Sequence, residues 1–484
     1  SSAASDVYKR QMKLEKILKE ISYISKKIQN DREIVGISSD SRQIKKDYIF
    51  LAIKGYESDG HKYINSAIKN GANTIVYTND DIEFVDKINY IKVEDERLTL
   101  AQISNLISDY PSKSMTMIGV TGTNGKTTTA NMIAFVLNKL GSSCANIGTD
   151  GAILINKTMP TEHTTPEITD LNDILLEAKK DNIKNVVMET SSHGLCLKRN
   201  YGIDYKYGVF TNLSMEHMDF HKTMDNYFAA KMILLKNSQK QVVNIDDDYG
   251  KKAKEIFKDA LTISINEDSA YRAENIKRVD MGLEFFVNGV KFHLKRFGLY
   301  DIYNSLCAIA IANDLDFELE EISKALEGFK GVKSRFEFIE NNRGINIVVD
   351  FAHTPKAFEN IYKDLPKDKK IYSVYGITGD RTYDIRKAVG KISAKYNIFS
   401  VITTDDPKFD TFENISNNIK EGVEENKGEY VVIKNRKEAI KYAISHAKEG
   451  DFVLMLGKGE EKFIKLNGNN KTYYNEKETI REVL

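Results

Sequence analysis

Apolar residues along this chain fall in short runs separated by stretches of helical period and by polar loops, the alternation of an α/β protein. Ahead of Pro111 the runs lie at 34–37, 48–53, 74–77 and 88–93, with helical stretches near 61–69 and 98–108. Beyond it come runs near 117–120, 185–188, 207–213 and 241–245, each ending in polar residues. A second series follows from about residue 327, at 345–349, 371–375, 399–403, 430–433 and 452–456, with helical patterns over 385–396 and 436–447. The expected fold is α/β in three domains: a small α/β domain over 12–110, a central P-loop domain with a mostly parallel sheet over 111–333, and a Rossmann-like domain without the dinucleotide fingerprint over 334–484. The first eleven residues, SSAASDVYKRQ, have no period and are expected to be a disordered or non-native leader.

Residues 115–140 read MTMIGVTGTNGKTTTANMIAFVLNKL, an apolar strand, a glycine loop and a helix-period stretch. That order suits a phosphate-binding loop. Gly122 and Gly125 let backbone N–H groups turn onto phosphate oxygens, Lys126 reaches the outer phosphates, and Thr127 offers a hydroxyl to Mg²⁺ at the positive end of a helix. The spacing is not the general G-x-x-x-x-G-K-[ST], because Val120 stands where its first glycine would be.

In open parallel sheets ligands sit at the carboxyl ends of strands. The candidates are therefore Glu189 with Thr190, Ser191, Ser192 and His193; then Asn212, Glu216 and His217; then Asn244, Asp246 and Asp247. A carboxylate such as Glu189 at a strand end is the usual second anchor for Mg²⁺. His217 and His221 have zinc-protease spacing, but Met218 occupies the place of the required glutamate. On chemistry alone His217 reads as a metal or phosphate contact or as an ordinary helix-start histidine, and Lys231, in an apolar helical stretch, reads as a lysine snorkelling to solvent.

Composition narrows the class. The chain has 484 residues, more than one ordinary core, and 70 basic residues balance 70 acidic ones, against bulk nucleic-acid binding. Three widely spaced cysteines suggest neither a disulfide framework nor a zinc site and fit a reducing compartment, so a cytoplasmic protein is expected. No apolar stretch is long enough for a membrane span, and no membrane insertion is expected.

TGTNGKTT, TTPE (164–167), METSSHGLCLKR (188–199), FTNLSMEHMDFH (210–221), YFAAK (227–231), NIDDDYG, GLYDIYN (298–304), SRFE (334–337), DFAHTP (350–355), GDR and GKGEE together resemble the Mur ligase family in order and spacing, over nearly the whole chain from Val35 to Lys462. The pattern is most similar to the members that add the third amino acid to UDP-N-acetylmuramoyl-L-alanyl-D-glutamate. The resemblance implies an ATP-dependent amide ligase of peptidoglycan precursor synthesis, working through an acyl phosphate, with a UDP-binding first domain and a monomeric state. It implies that Gly122, Thr123, Asn124, Gly125, Lys126, Thr127 and Thr128 cradle the ATP phosphates, with Asn304, Arg335 and Asp350 as further nucleotide contacts. Thr127, Glu189, His217 and Lys231 would serve the magnesium ions, Lys231 as a CO₂-derived carbamate, and Lys126, Glu189, His217, Lys231 and Arg335 would be catalytic. Ser39, Ser41, Thr164, Thr165, Ser191 and Arg199 match positions holding the UDP-muramoyl-dipeptide. Arg381, Asp405, Asp406, Pro407, Lys408, Gly457 and Glu461 match those holding the incoming amino acid.

The added residue is read from a departure. Relatives that use meso-diaminopimelate typically carry D-N-P-R, where this chain has Asp405-Asp406-Pro407-Lys408. Asp406 would suit a distal ammonium, Lys408 a distal carboxylate, though without the fork of an arginine. Glu460, in place of a common histidine, adds acidity. L-lysine or a similar diamine is therefore expected, with meso-diaminopimelate as the alternative. Folylpolyglutamate synthase shares the ATP machinery but lacks a UDP-sugar domain, and a nucleotide-switch binding protein would leave the carboxyl-terminal loops without a purpose.

Overall fold

The computed structural model describes residues 11–484 except 56, 57, 280, 281, 297, 334, 460, 467 and 469. Glu460, Ser334 of the SRFE motif, Tyr56 and Glu57 of the polar loop 55–61, and the leader apart from Gln11 lie outside the described residues. The chain divides into two compact units, Ser1–Arg272 with Ser305–Ala325, and Ala273–Asn304 with Leu326–Leu484.

Besides a two-stranded ribbon, Met12–Lys13 with Glu33–Ile34, the first unit carries two larger sheets. The smaller has five strands in the order Ser25–Lys27, Asn89–Lys92, Ala72–Tyr77, Tyr48–Leu51 and Gly36–Ser38, parallel except for the first. All six residues of Ala72–Tyr77 are buried, so the strand is covered on both faces and reads as an apolar run without alternation.

The larger sheet has nine strands, in the order Thr158–Met159, Gly151–Ile153, Cys144–Gly148, Asn185–Glu189, Thr116–Thr121, Tyr205–Phe210, Ser238–Asn244, Leu261–Ser264 and Tyr271–Arg272. From Cys144–Gly148 onward every pairing is parallel. The P-loop strand Thr116–Thr121 thus has Asn185–Glu189 on one side and Tyr205–Phe210 on the other, and the register sets Glu189 opposite Val120.

These two sheets share one hydrophobic cluster running from Leu14 and Ile17 through Leu100, Ile103 and Ile107 to Met117, Leu171 and Leu175. At its centre Asn172 Nδ2 donates to Ser104 Oγ and Asn105 Oδ1, each at 3.0 Å, and Asn105 Nδ2 donates to the Tyr201 carbonyl at 2.8 Å. Buried amides paired in this way fix the register of helix Glu96–Ile107 against helix Ile168–Lys180, where apolar contact alone would permit sliding.

In the second unit six strands run in the order Glu337–Ile339, Asn346–Asp350, Phe452–Leu456, Ile371–Tyr375, Phe399–Ile402 and Tyr430–Val432, antiparallel only at the first. The apolar runs read from the sequence coincide with five of these. An antiparallel meander, Glu274–Val279, Gly282–Val287 and Val290–Leu294, joins this unit, so the unit border falls inside the segment that the sequence grouped as 111–333. Its Leu283, Phe285 and Val287 alternate inward, with Phe285 stacked on Phe292 at 5.6 Å.

Arg436 ties the second sheet to the last helix, Glu476–Val483. Its guanidinium makes a forked pair with Glu476, at 2.6 and 3.0 Å, and also donates to the Leu456 carbonyl at 3.0 Å, with both side chains buried. Removing one charge of such a pair leaves the other buried and alone, so Glu476→Gln should cost about 3–5 kcal/mol in denaturant unfolding of this unit. A cost under about 1 kcal/mol would show the pair to be solvated.

Candidate functional site

The P-loop turns at Gly122 (φ 152°) and Gly125 (φ 86°) before entering helix Lys126–Lys139. A Cβ on Gly122 would stand 1.9 Å from Thr211 Oγ1, so no larger residue fits there without moving the next loop. That loop holds the turn from beneath. Asn212 accepts from the Asn124 N–H at 3.0 Å and donates to its carbonyl at 3.0 Å, the Thr123 N–H donates to the Asn212 carbonyl at 2.9 Å, and the Thr211 hydroxyl donates to the Asn124 carbonyl at 2.7 Å. Thr128 is buried in the first helical turn. Lys126 folds back to donate to the Gly122 and Thr123 carbonyls at 3.0 and 2.9 Å.

Glu189 is 1% exposed, with both carboxylate oxygens engaged. Thr127 Oγ1 donates to Oε2 at 2.8 Å and the Thr149 N–H to Oε1 at 3.0 Å. Gly148 makes room, since a Cβ there would meet Oε1 at 2.1 Å. A hydroxyl and a buried carboxylate side by side are hard oxygen donors, the set that fits Mg²⁺.

Four of the residues matched to the sugar dipeptide gather on the same edge. Thr165 Oγ1 donates to the Glu189 carbonyl at 3.0 Å and accepts from the Ser191 N–H at 2.9 Å. Thr164 Oγ1 stands 3.2 Å from Thr149 Oγ1, and Arg199 pairs with Glu167 at 2.7 Å. Ser39 and Ser41 sit apart, in the loop after strand Gly36–Ser38, with Ser39 exposed and Ser41 buried.

His217 takes a positive φ of 56° at the start of the turn Met218–His221, and its ring stands 4.9 Å from that of His193. His221 is buried, stacked on Tyr227 and 2.9 Å from Ser192 Oγ. Burial holds both His217 and His221 down to about 4, so both are neutral at pH 7. Lys231 does not snorkel. It is fully buried in helix Met224–Lys236, donates to the Gly122 carbonyl at 2.8 Å, and lies over the Tyr227 ring at 4.5 Å. Burial and the nearby charge of Lys126 hold its amine well below the ordinary lysine value.

In the second unit Asp350 accepts from the Phe336 and Ala352 N–H groups, each at 2.7 Å, and Arg335 lies over the Phe351 ring at 4.9 Å. Asn304 is buried in helix Leu299–Asp314. Arg296 organises this corner, donating to Asp301 at 3.1 Å and to the Arg335 and Phe336 carbonyls at 2.7 and 3.0 Å.

The amino-acid loops converge at the carboxyl ends of the second sheet's strands. Gly379 donates to the Asp406 carbonyl at 2.8 Å, and a Cβ on Gly379 would meet the Pro407 carbonyl at 1.8 Å. Lys408 Nζ reaches Asp380 at 2.5 Å, while Arg381 has a buried Nε without a hydrogen-bond partner among the described residues. Asp406 departs from expectation. It is 2% exposed and accepts from Lys458 Nζ at 2.7 Å and from the Lys465 N–H at 3.0 Å, so its carboxylate is not free for a substrate ammonium. Lys458 also donates to Glu461 at 2.6 Å and stands 3.7 Å from Asp405, and Gly457 is small because a Cβ would meet Asp405 Oδ2 at 2.4 Å. Sequence reasoning passed over Thr149, Gly148, Arg296 and Lys458. Only Lys458, set between two glycines, carried a local signal.

A P-loop whose threonine bonds a buried strand-end carboxylate, in a chain with a Rossmann-like carboxyl-terminal sheet, is the phosphate site of an ATP-dependent enzyme, and the family matches make that enzyme a ligase. Family models agree along the chain: the Mur ligase family, catalytic domain over residues 33–107, the Mur ligase middle domain over 120–312, and the Mur ligase, glutamate ligase domain over 334–459. The chain belongs to the Mur ligase family. It is 37% identical over 484 residues to the UDP-N-acetylmuramoyl-L-alanyl-D-glutamate--2,6-diaminopimelate ligase of Clostridium botulinum, covering 98% of this chain and 99% of that one. It is 36% identical over 485 residues, with the same coverage, to ligase 1 of that name from Clostridium acetobutylicum. A solved structure of a ligase of that name matches with a TM-score of 0.69 and 25% identity over 98% of both chains. These relatives are named for diaminopimelate where lysine was expected; of the two acidic residues behind that expectation, Asp406 is paired with Lys458, and Glu460 lies outside the described residues.

Two outcomes follow. Gly122→Ala should keep the fold by circular dichroism yet lower kcat/KM for ATP by about 100-fold or more, because the loop shifts by an ångström or so. Histidines kept neutral by burial add stability that is complete above their ordinary value of about 6.5 and lost as pH falls towards 4. The thermal midpoint should fall over that window, and His221→Gln should flatten the fall.

Proposed function

We propose that this enzyme adds meso-diaminopimelate to the side-chain carboxylate of the D-glutamate in UDP-N-acetylmuramoyl-L-alanyl-D-glutamate, with hydrolysis of ATP to ADP and phosphate. The observation that carries the choice is the occupied Asp406 beside a cationic Lys408. The names of the relatives support it.

In this reading the backbone of Gly122 to Thr128 holds the ATP phosphates, and Asn304, Arg335 and Asp350 contact the nucleotide. Thr127, Glu189 and His217 would hold magnesium, which supplies charge stabilisation on the phosphate oxygens. A protonated lysine cannot be a metal ligand, but a neutral amine can attack CO₂ and lose a proton to give a carbamate, an oxygen donor. The depressed amine of Lys231 is suited to that step.

Lys126 leaves the Gly122 carbonyl for the γ-phosphate and neutralises charge as the D-glutamate carboxylate oxygen bonds to phosphorus and the bond to ADP breaks. Thr164, Thr165, Ser191 and Arg199 position that carboxylate. The amine of the amino acid, held by Arg381, Asp405, Lys408, Gly457 and Glu461, then attacks the acyl carbon; the carbon–oxygen bond to phosphate breaks and the nitrogen sheds a proton.

The test is phosphate release with the sugar dipeptide present and meso-diaminopimelate, L-lysine, L-ornithine or lanthionine added singly. Release that needs both the dipeptide and meso-diaminopimelate is expected. Release with lysine alone overturns the substrate, and release without the dipeptide overturns the ligation. Lys231→Arg, whose guanidinium cannot be carbamylated, should lower kcat by about 100-fold or more.

A further inference from the structure

The geometry points to Lys458 as a specificity-determining residue: it silences Asp406, so that an acidic DDPK loop accepts an amino acid with a distal carboxylate. This deepens the proposed function and rests on it.

Gly457 and Gly459 both have positive φ, 106° and 51°, a backbone path that turns the side chain of Lys458 inward until it is fully buried. There its ammonium meets three carboxylates, Asp406 at 2.7 Å, Glu461 at 2.6 Å and Asp405 at 3.7 Å. Lys465 adds a second cation 3.8 Å from the other Asp406 oxygen, and its backbone N–H donates to the first. Both oxygens of Asp406 thus face positive charge, with 3% of the side chain exposed to solvent. Electrically the position resembles the asparagine of a D-N-P-R loop more than a free aspartate.

What remains for a substrate is of both signs. Glu461 keeps 37% of its side chain exposed and can take an ammonium. Lys408 stands on Asp380, half of which is exposed, and can transfer to a carboxylate, with Arg381 next in the chain. The distal end of diaminopimelate carries one ammonium and one carboxylate; that of lysine carries an ammonium only. Without Lys458, Asp406 would keep only the more distant ammonium of Lys465, and its under-compensated negative charge, two residues from Lys408, would oppose the carboxylate and favour lysine.

The experiment is steady-state kinetics on the full chain, read as kcat/KM for meso-diaminopimelate divided by that for L-lysine. Lys458→Met should lower this ratio at least tenfold, and adding Asp406→Asn to it should restore the ratio to within about threefold of wild type. A purely structural lysine would lower both rates together and would not be rescued. An unchanged ratio in active Lys458→Met, or a double variant no better than the single, overturns the inference. If Lys458→Met does not fold, Asp406→Asn alone decides: a silenced aspartate predicts a ratio changed less than threefold, whereas a tenfold rise would show that Asp406 had been opposing the carboxylate. Wild type inactive with every amino acid would instead overturn the proposed function, a result distinct from any of these.

Discussion

Two lysine amines converge on one carbonyl oxygen, that of Gly122, and the first unit's site is arranged around that crowding. Lys126 is partly buried and Lys231 fully so, and each raises the cost of charging the other. The Gly122 carbonyl offers only a partial charge, the carboxylate of Glu189 is shared by Thr127 and Thr149, and the charge of Glu216 only partly offsets the effect of burial and Lys126 on Lys231. A phosphate for one lysine and a carbamate on the other would each relieve the repulsion. The loop is thus a place where electrostatic discomfort prepares the site for negative charge.

The second unit solves the opposite problem. There one buried lysine serves three carboxylates, and left-handed backbone turns at Gly457 and Gly459 allow it to do so. Elsewhere in this unit buried arginines fill the same role: Arg296 holds Asp301 and the backbone before Asp350, and Arg436 holds Glu476. Three cations thereby fix loops at the carboxyl ends of parallel strands, where the ends of the backbone hydrogen-bond ladders leave polar groups to be satisfied.

Much of this was legible in the sequence, and the gaps have physical causes. Strands covered on both faces write themselves as apolar runs, so Ala72–Tyr77, Ile371–Tyr375 and Phe452–Leu456 stood out. The strand Cys144–Gly148, CANIG, did not, because its alanine, asparagine and glycine make a weak apolar run, ending in a glycine whose Cβ would meet Glu189. The meander over 274–294 was missed because its half-buried strands mix charged residues with apolar ones. Glu189 could be picked out from its place at a strand end. The partners of that carboxylate could not, since Thr149 lies 40 residues away in an unremarked turn. Lys231 shows the limit of local reasoning: its apolar neighbours suggested a lysine snorkelling to solvent, the family resemblance set it among the metal-site residues, and the fold buries it against the Gly122 carbonyl. Asp406 shows the same limit in charge, because a carboxylate's meaning depends on a lysine 52 residues later.

The buried amides of Asn105 and Asn172 bear on how such a protein can be cut and recombined. The amino-terminal sheet and the nucleotide-binding sheet grow from one cluster of apolar side chains, with these amides bonded across the seam. A chimaera joined near Pro111, the natural place to splice by sequence, would leave donors and acceptors from two different parents facing one another in a dry interior. The first two sheets therefore form a single unit of inheritance, and exchange of modules among relatives would have to carry both together.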